Sequence, residues 1–564
     1  MSISLSWELN SLYSSEDDFN RDLARVEKLF SAQEDLKKAI LNLQEGKKVL
    51  QELSSYAECL VAQDPADPKG HAKEAEASRL EEMAEAAGFQ LGLRLGELSE
   101  EAFSQLLTDS DLEGITFYVQ ELHDLAKCKG PKECEEVISA LTCDGYHSLW
   151  ALYQTITGKI RVGKEKLSIG QADNLLSSPD RKVREQTFAD WTEAWKGEAD
   201  LLAQLLNNIG GFRLGMYEIR GWEDPLYEPL LLNRMERKTL DAMWDEVVKA
   251  KPVFLEYLAH KARLLGVDKL SWVDLEVPLV KTREVPFEKG AALVMEEFEK
   301  FHPKMAEFTK KALENRWIEA EDRPGKAAGG FCVALPASGE SRIFMTYKGT
   351  QENVVVLAHE LGHAYHNECL KDLPYFSQQA QMNVAETAST FAEMIVIDQS
   401  IQLAQDPQEK LQLLDDKLQR AVSYFLNLHA RLLFEEAFYA ERKKGFVSAE
   451  RLCELMESAQ REAFGDSLSS YFPYFWGAKL HFFYTRFPFY NFPYTFGYLL
   501  SNGLYARAKG GKFGDKFDAF LQDTGRMQVE DLAQKHLGVD LREPAFWRES
   551  VQVLVDDVRQ FKEL

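Results

Sequence analysis

Apolar residues recur every three or four positions along most of this chain, which is the period of an α-helix that buries one face. Within residues 16–60 the pattern predicts two long amphipathic helices with charged outer faces. Their apolar positions are, in order, Leu23, Val26 and Phe30, then Leu36, Ile40 and Leu43. Turn-forming residues divide the chain up to about residue 215 into helical hairpins. These turns lie at 64–70, 130–131, 143–145 and 178–180. The pattern therefore predicts a mainly α-helical protein.

One predicted helix carries ionisable residues next to an apolar run. Residues 359–363 read His-Glu-Leu-Gly-His and follow the aliphatic stretch 354–358. On a helix, His359 and His363 lie four positions apart, so both imidazoles project from one face and can bind one zinc ion. The carboxylate of Glu360 is offset around the helix and can take a proton from a water molecule at the metal. Because buried ionisable groups are costly unless they are paired or bind a metal, this context favours a zinc site over a solvated helix.

A catalytic zinc site usually has three protein ligands and one open position, so a third ligand must come from elsewhere in the chain. His366 lies roughly 10 Å along the helix from His359, too far to share the ion with both motif histidines. Cys369 is disfavoured because a thiolate ligand would make a zinc-bound water less acidic. Glu386 and Glu393 remain, two turns apart near one face of an apolar helix. Spacing alone leaves open which one binds the metal, which one orients a ligand, and whether either merely pairs with a basic residue.

Strand-like sequence is scarce, and its best example lies just before the zinc motif. Residues 331–335 and 341–347 have strand composition, and residues 336–339 between them have the composition of a turn. This predicts a short hairpin beside the metal. One interpretation is a purely structural ribbon. The other, favoured by the peptide chemistry that the zinc motif suggests, is an edge strand that pairs with an extended substrate, with Phe344 and Tyr347 binding it.

Composition and charge narrow the class of protein further. The chain has 564 residues, of which 45% are hydrophobic and 11% aromatic, enough to form a large core. Its net charge of −25, from 66 basic and 91 acidic residues, argues against nucleic acid and anionic membranes as partners. No apolar stretch is long enough for a membrane span, and the first residues lack the basic segment of a signal peptide. Seven cysteines without a C-x-x-C pair are typical of reduced thiols, so we expect a cytoplasmic protein.

Three segments around the motif carry a resemblance to a known family. They are Phe344-Met345-Thr346-Tyr347-Lys348-Gly349-Thr350, Leu357-Ala358-His359-Glu360-Leu361-Gly362-His363-Ala364, and Ala385-Glu386-Thr387-Ala388-Ser389-Thr390. In these segments, and in an aromatic block near residue 490, the chain resembles the oligoendopeptidase F branch of the thimet oligopeptidase family. The members of this family are zinc metallopeptidases of the gluzincin type. A weaker resemblance extends to the N-terminus, so it covers essentially the whole chain.

The resemblance implies a fold, a ligand set and an activity. The fold would be mainly α, elongated and two-lobed, with a deep central channel and a small β-ribbon beside the zinc helix. Glu386 would be the third zinc ligand and Glu360 the catalytic base. The acid that some other gluzincins have four residues after the ligand is Thr390 here, so Ser389 or Glu393 is left to orient the histidine ligands. The channel would favour short oligopeptides over folded proteins as substrates.

The aromatic block itself contains candidate catalytic residues. Of the 28 residues in 471–498, 15 are aromatic, and we expect most of the phenylalanines to lie in the core. Tyrosine hydroxyl and histidine N–H groups need partners when they are buried, and they can stabilise the oxyanion that forms in peptide hydrolysis. By resemblance, His481 and Tyr498 are the predicted oxyanion donors, and Tyr490 and Tyr494 line the substrate cleft.

These observations together predict a zinc-dependent endopeptidase with one Zn²⁺ per chain. We expect a helical lobe over residues 1–190 and a catalytic region over 191–564, with a zinc helix at about 353–368, a third-ligand helix at about 382–399 and a substrate-cleft block at 471–505. An exopeptidase of similar chemistry is the alternative. A non-catalytic helical peptide-binding protein is less favoured, because binding alone needs no proton acceptor beside metal ligands. Nothing in the sequence indicates the oligomeric state.

Overall fold

Segments that lie far apart in the sequence form two compact units in the computed structural model. The structure describes residues 4–31, 34–280, 284–326, 329–508 and 513–564. Unit 1 is built from residues 1–129, 282–400 and 507–539, and unit 2 from residues 130–281, 401–506 and 540–564. The predicted division at residue 190 follows sequence order, whereas each unit combines three separate segments. A hydrophobic pattern shows which face of a helix is buried, but it does not show which distant segment covers that face.

The first segment of unit 1 is helical throughout. Its helices are α1 (Glu16–Leu29), α2 (Leu36–Gln63), α3 (Pro68–Gly96), α4 (Glu100–Leu107) and α5 (Thr116–Cys128). The side chains of Ser15 and Asp35 accept hydrogen bonds from backbone N–H groups in the first turns of α1 and α2, which fixes where these helices begin. Both predicted amphipathic helices are confirmed. Val26, Ile40 and Leu43 are buried in one hydrophobic core.

The first segment of unit 2 continues the helical pattern. Its helices are α6 (Lys132–Thr142), α7 (Ser148–Lys159), α8 (Ile169–Leu176), α9 (Arg181–Gly197), α10 (Ala199–Arg220), α11 (Tyr227–Leu232) and α12 (Arg237–Leu264). The predicted breaks at 130–131 and 178–180 are confirmed. The predicted break at 143–145 is wrong, because a π-helical turn, Cys143–His147, connects α6 to α7 without interruption. A π-turn accommodates the extra residue inside a continuous helix.

The second segment of unit 1 contains the three strands of the structure and the predicted zinc helix. Its elements are α13 (Phe287–Phe301), α14 (Pro303–Glu314), β1 (Ile318–Glu319), β2 (Phe331–Leu335), β3 (Glu340–Phe344), α15 (Gln351–Leu370), α16 (Met382–Ala385) and α17 (Thr387–Leu403). The strand order is β1-β3-β2, with β3 parallel to β1 and antiparallel to β2. The predicted hairpin is therefore confirmed, but its second strand is the central one.

The remaining segments complete both units. Unit 2 contains α18 (Pro407–Val422), α19 (Leu428–Arg442), α20 (Ala449–Ala463), α21 (Phe475–Ala478), most of α22 (Phe492–Ala508) and α25 (Pro544–Glu563), and unit 1 contains α23 (Gly514–Asp523) and α24 (Val529–Leu537). A mainly α fold with one small sheet confirms the predicted fold class. None of the helices in the described residues has both the length and the apolar character that a bilayer crossing requires.

The hydrophobic core of unit 1 fixes the small sheet in place. Trp7, near the N-terminus, packs its ring 5.8 Å from that of Phe344 in β3. Phe331 in β2 stacks on the same Phe344 ring, with centroids 5.0 Å apart. The same core includes residues of α1, α2 and α3. The strands that precede α15 are thus held by the N-terminal helices.

Candidate active site

Helix α15 begins at a well-defined cap and is buried along most of its length. The Thr350 side chain accepts a hydrogen bond from the backbone N–H of Asn353, and the Asn353 side chain accepts one from the Thr350 N–H. This reciprocal arrangement satisfies helix N–H groups that otherwise lack partners. The first turns then bury Val354, Leu357 and Ala358 completely. The helix is thereby rigid where it presents His359.

The second element of the site is the junction between α16 and α17, where Glu386 lies. Gly362 of α15 allows this junction to approach closely. A Cβ atom at this glycine would lie 2.6 Å from the Cα of Ser389 and 2.7 Å from the carbonyl oxygen of Ala388. Real Cβ atoms do not come this close to backbone, so a larger residue would push the two helices apart. Gly362 therefore sets the distance between the motif and Glu386.

The structure brings His359, His363 and Glu386 together. The Nε2 atoms of the two imidazoles are 3.1 Å apart, and the Glu386 Oε2 lies 3.4 Å from the first and 3.3 Å from the second. Ligands of a tetrahedral zinc ion at about 2.0–2.1 Å are separated by about 3.3–3.4 Å. Two imidazole nitrogens and one carboxylate oxygen are also the donor types that zinc prefers. The three side chains therefore fit a zinc ion in both spacing and chemistry.

Two further residues orient these candidate ligands, one on each side. The Nδ1 of His359 lies 2.5 Å from Glu393 Oε1. In the neutral imidazole, a proton held between these atoms leaves Nε2 unprotonated and facing the cluster. The Ser389 hydroxyl donates to Glu386 Oε2 at 2.9 Å. The resemblance leaves Ser389 or Glu393 to orient the histidine ligands, and in the structure Glu393 contacts His359 whereas Ser389 contacts Glu386.

The charges of the cluster shift the pKa values of its members in opposite directions. Burial disfavours the protonated form of His359, but the hydrogen bond and negative charge of Glu393 outweigh burial and raise its pKa to about 9. Burial would raise the pKa of Glu386, but the two imidazoles outweigh it and lower that pKa to about 2. Glu386 is therefore a carboxylate over the whole neutral pH range, as a metal ligand must be.

Glu360 lies beside the cluster with one carboxylate oxygen unsatisfied. Its side chain is buried, and among the described residues no donor reaches its Oε2. Burial raises its pKa above the usual value, and the neighbouring imidazoles counteract part of that increase. Gly330, just before β2, lies against its other oxygen, since a Cβ there would be 3.2 Å from Oε1. A buried carboxylate oxygen without a partner is unusual and indicates a place for a ligand or a water molecule.

The other residues considered as ligands have different partners. His366 is buried and its Nε2 lies 2.8 Å from the hydroxyl of Thr524. Burial lowers its pKa to about 4. Cys369 lies near Asp518, 4.0 Å from a carboxylate oxygen, and burial raises the pKa of its thiol. Both residues stay outside the cluster, as predicted for His366 from its spacing along the helix and for Cys369 from the chemistry of a thiolate ligand.

The structure does not support direct substrate contact by the predicted strand residues. Both sides of β3 are occupied, because Met345 and Tyr347 continue the pairing by donating to Glu319 and Ala320. The expectation that 341–347 forms a free edge is therefore wrong, and β2 is the longer outer strand. The Phe344 side chain is fully buried between neighbouring rings. The Tyr347 hydroxyl donates to the carbonyl of Val285 at 2.9 Å. Both side chains therefore have a structural role at the sheet.

A cavity adjoins the cluster within unit 1. It has a volume of about 230 Å³ and is lined by His363 and Ala385 on one side and by β2 residues Ala334 and Leu335 on another. Strand β2 lines this cavity because it is an outer strand of the sheet and borders α15. An extended peptide lying along β2 would have one candidate ligand at its side.

The predicted residues of the aromatic block all belong to unit 2, where His481 lies beside Tyr490 and Tyr494. The His481 ring is 5.3 Å from that of Tyr490 and 6.0 Å from that of Tyr494, centroid to centroid. Its Nδ1 is buried with no partner among the described residues. Burial, with the charges of nearby cations, lowers its pKa to about 3, so the ring is neutral. The ring of Tyr498 in α22 stacks on Tyr424 at 4.3 Å.

Some features of the site had no signal in the pattern of residues. Gly330 is one of 34 glycines, and nothing in its sequence context marks its approach to Glu360. The sequence also did not show whether Ser389 or Glu393 orients the ligands, so the hydrogen bond from Ser389 to Glu386 could not be predicted. A serine three residues after an acid at a helix start is the signal that would have found it, because such side chains readily meet over one turn.

The chain is similar to known proteins in sequence and in fold. Residues 174–552 match the family model described as peptidase family M3. Oligopeptidase PepF of Bacillus subtilis (strain 168) is 22% identical over 592 residues, covering 99% of this chain and 87% of that protein. A solved structure from Chlamydophila abortus has a TM-score of 0.85 at 19% identity and covers 100% of this chain and 98% of its own. Oligoendopeptidase-F of Enterococcus faecium has a TM-score of 0.70 at 20% identity and covers 97% of each chain.

Proposed function

The chain belongs to peptidase family M3, and from this premise we propose that it is a zinc-dependent endopeptidase that cleaves internal bonds of short oligopeptides. Family membership confirms the resemblance predicted from the sequence and makes the chain a metallopeptidase that acts on oligopeptides. The observation that carries the finer proposal is the convergence of His359, His363 and Glu386 beside the unsatisfied oxygen of Glu360.

In the proposed site, His359, His363 and Glu386 would hold one zinc ion. When bound, zinc supplies Lewis-acid polarisation of the scissile carbonyl and acidifies a water molecule. Glu393 keeps the first imidazole in the tautomer that can bind a metal, and Ser389 fixes the carboxylate. Because these two contacts already restrict the ligand side chains, less conformational freedom is lost when an ion binds.

We assign the proton transfers to Glu360. Its Oε2 accepts a proton from the attacking water, because this atom is buried and no protein donor competes for it. The same carboxyl group then delivers the proton to the departing amine. The absence of a side chain at Gly330 leaves room for the other oxygen, because a Cβ there would lie 3.2 Å from Oε1.

We assign the stabilisation of the oxyanion to Tyr498 and His481, as the family resemblance implies. Stacking of Tyr498 on Tyr424 orients its ring, and the neutral imidazole of His481 retains one N–H donor. Donors that are fixed before the reaction stabilise developing charge without reorganising. Tyr490 and Tyr494, whose rings surround His481, are proposed to line the cleft for the substrate.

The substrate is proposed to bind as an extended chain beside β2. This strand is an outer one, and the cavity between it and His363 has room for side chains of a peptide. Main-chain hydrogen bonds to a strand edge give affinity for many sequences, whereas pockets select particular side chains. This mode of binding suits a peptidase that accepts varied oligopeptides.

The experiment that tests the proposal is the substitution Glu360→Gln. It keeps the shape of the side chain and removes the proton acceptor, so we expect turnover to fall by about 10²–10⁴-fold with the zinc content unchanged. A quenched fluorogenic peptide blocked at both ends measures turnover and excludes an exopeptidase, and mass spectrometry measures zinc. Glu352→Gln makes the same chemical change at an exposed position of α15 and serves as the control. Turnover by Glu360→Gln within tenfold of the wild type would refute the assignment.

A further inference from the structure

A second cavity, wholly within unit 2, combines cations with an aromatic wall. It has a volume of about 300 Å³ and includes Arg431 of α19 and Lys479, the residue after α21. Five aromatic rings contribute to its lining, among them Trp272 and Phe475. The two lining carboxylates, Asp173 and Glu276, belong to exposed residues. The cavity therefore has buried positive charge and an exposed negative border.

No carboxylate of the described residues forms an ion pair with Arg431. The residue is 8% exposed, and among the described residues no carboxylate oxygen lies within ion-pair distance of it. Its Nε donates to Asn427 at 2.9 Å and its Nη1 to Asn491 at 3.0 Å, both neutral amides. Its Nη2 donates to no described residue. Buried guanidinium groups are normally paired with an anion, so this one is left available.

Glu435, one turn further along α19, does not supply the missing counter-charge. It accepts a hydrogen bond from the amide of Asn491 at 3.1 Å. Burial raises its pKa to about 8, so at neutral pH this carboxyl group is largely protonated. At neutral pH, Glu435 therefore supplies little of the negative charge that would balance Arg431.

Lys479 adds a second cation to the same wall. Its Nζ makes no hydrogen bond or ion pair with any described residue and lies 5.3 Å from the centroid of the Phe475 ring. The guanidinium carbon of Arg431 lies 5.2 Å from the same centroid. Burial and then the charge of Arg431 lower the pKa of Lys479 to about 8. An anion between the two groups would offset both the burial of the Lys479 charge and its repulsion by Arg431.

The aromatic wall selects the chemistry of such an anion. The ring of Trp272 meets that of Phe475 edge to face, with centroids 5.0 Å apart, and Phe472 adjoins the latter at 6.2 Å. Apolar walls favour an organic ligand over a small inorganic ion. The exposed carboxylates of Asp173 and Glu276 disfavour ligands with several negative charges.

We propose that this cavity binds the free C-terminal carboxylate of a short peptide whose last residue is apolar. The carboxylate accepts from Arg431 and Lys479, and the side chain packs against Phe475 and Trp272. Naming a peptide as the ligand rests on the proposed function, because short peptides with new carboxylates are the products of endopeptidase cleavage. The cavity itself is independent of that function.

Isothermal titration of the full chain with N-acetyl-phenylalanine tests the proposal. We expect the Kd to rise at least tenfold when the carboxylate is replaced by an amide, in N-acetyl-phenylalaninamide. Lys479→Gln should weaken binding of the acid by at least tenfold, and Arg431→Gln by more. Lys196→Gln, an exposed residue of α9 outside the cavity, is the matched control and should bind normally. Inorganic phosphate should not compete.

Two outcomes separate this proposal from the zinc site. Glu386→Ala removes a proposed zinc ligand, so unchanged binding of the acid in this variant places the ligand away from the metal. If Arg431→Gln does not fold, Lys479→Gln alone decides, because its side chain is partly exposed. The proposal is wrong if the acid does not bind, if the acid and the amide bind equally, if phosphate competes, or if Lys479→Gln binds as the wild type does. If the protein cleaves peptides but does not bind the acid, this proposal is wrong and the proposed function stands. If the protein binds the acid but cleaves no peptide, the proposed function is wrong and this binding site stands.

Discussion

The cluster of candidate zinc ligands in unit 1 and the aromatic block of unit 2 are built in different ways. In the cluster, helix α15 carries both histidines, Glu386 lies at the junction of two helices, and residues of α17 fix two of the three ligands. Residues 471–498 form only short helical turns before α22, and their rings are positioned by other rings. A regular helix converts spacing into direction, whereas an irregular segment does not. The difference explains why the sequence is informative for one region and less so for the other.

Backbone conformation in the aromatic block illustrates the point. Phe489 has a positive φ of 52°, which is unfavourable for a bulky residue. Its side chain is nevertheless fully buried and stacks on Tyr439, with centroids 5.3 Å apart. Packing thus determines the turn that directs the next residue, Tyr490. No local signal in the sequence predicts such a turn.

The largest expected effect concerns whether the aromatic block takes part in peptide hydrolysis. We expect Tyr498→Phe to lower kcat by about 10²–10³-fold with little change in KM, because an oxyanion donor acts in the transition state. Steady-state kinetics with the doubly blocked peptide measures both constants. Tyr227→Phe, at an exposed position of unit 2, is the control. A change in KM alone would mean that Tyr498 binds the substrate without acting in the transition state.

The second test concerns the residues that orient the ligands in unit 1. Glu393→Gln replaces the carboxylate at Nδ1 of His359 by an amide, so we expect zinc affinity to fall about 10–100-fold. Turnover at saturating zinc should be affected less. Competition with a chelator of known affinity measures the loss. An unchanged zinc affinity would show that this contact does not support the metal site.

The third and smallest effect concerns the contact between the two helices. Gly362→Ala places a Cβ against the backbone of Ser389, and we expect a loss of about 1–3 kcal/mol in the free energy of unfolding. Gly92→Ala in α3 is the control, since an added Cβ there meets no atom within 4 Å. It should be neutral or slightly stabilising. Urea denaturation compares the two variants. Equal stability would contradict the role given to Gly362.

The helices and the metal motif were largely predictable from the sequence, for one physical reason. Helical periodicity is local, so α1, α2 and α15 follow from residues that are near in the chain. The same periodicity excluded His366 as a ligand. The position of β3 in the centre of the sheet was not predictable, because it depends on pairing with β1, which is too short to show a pattern. The way in which distant segments combine into the two units could not be predicted for the same reason.

The zinc content of the purified chain tests the central claim most directly. We expect one zinc ion per chain in the wild type and none in His363→Ala or Glu386→Ala at the same zinc concentration. The variant His366→Asn should retain the ion, because the wild-type imidazole at this position contacts Thr524 and not the cluster. This histidine lies within one helical turn of the motif. A wild-type chain that binds no zinc, or a Glu386→Ala variant that keeps a full complement, would contradict the account.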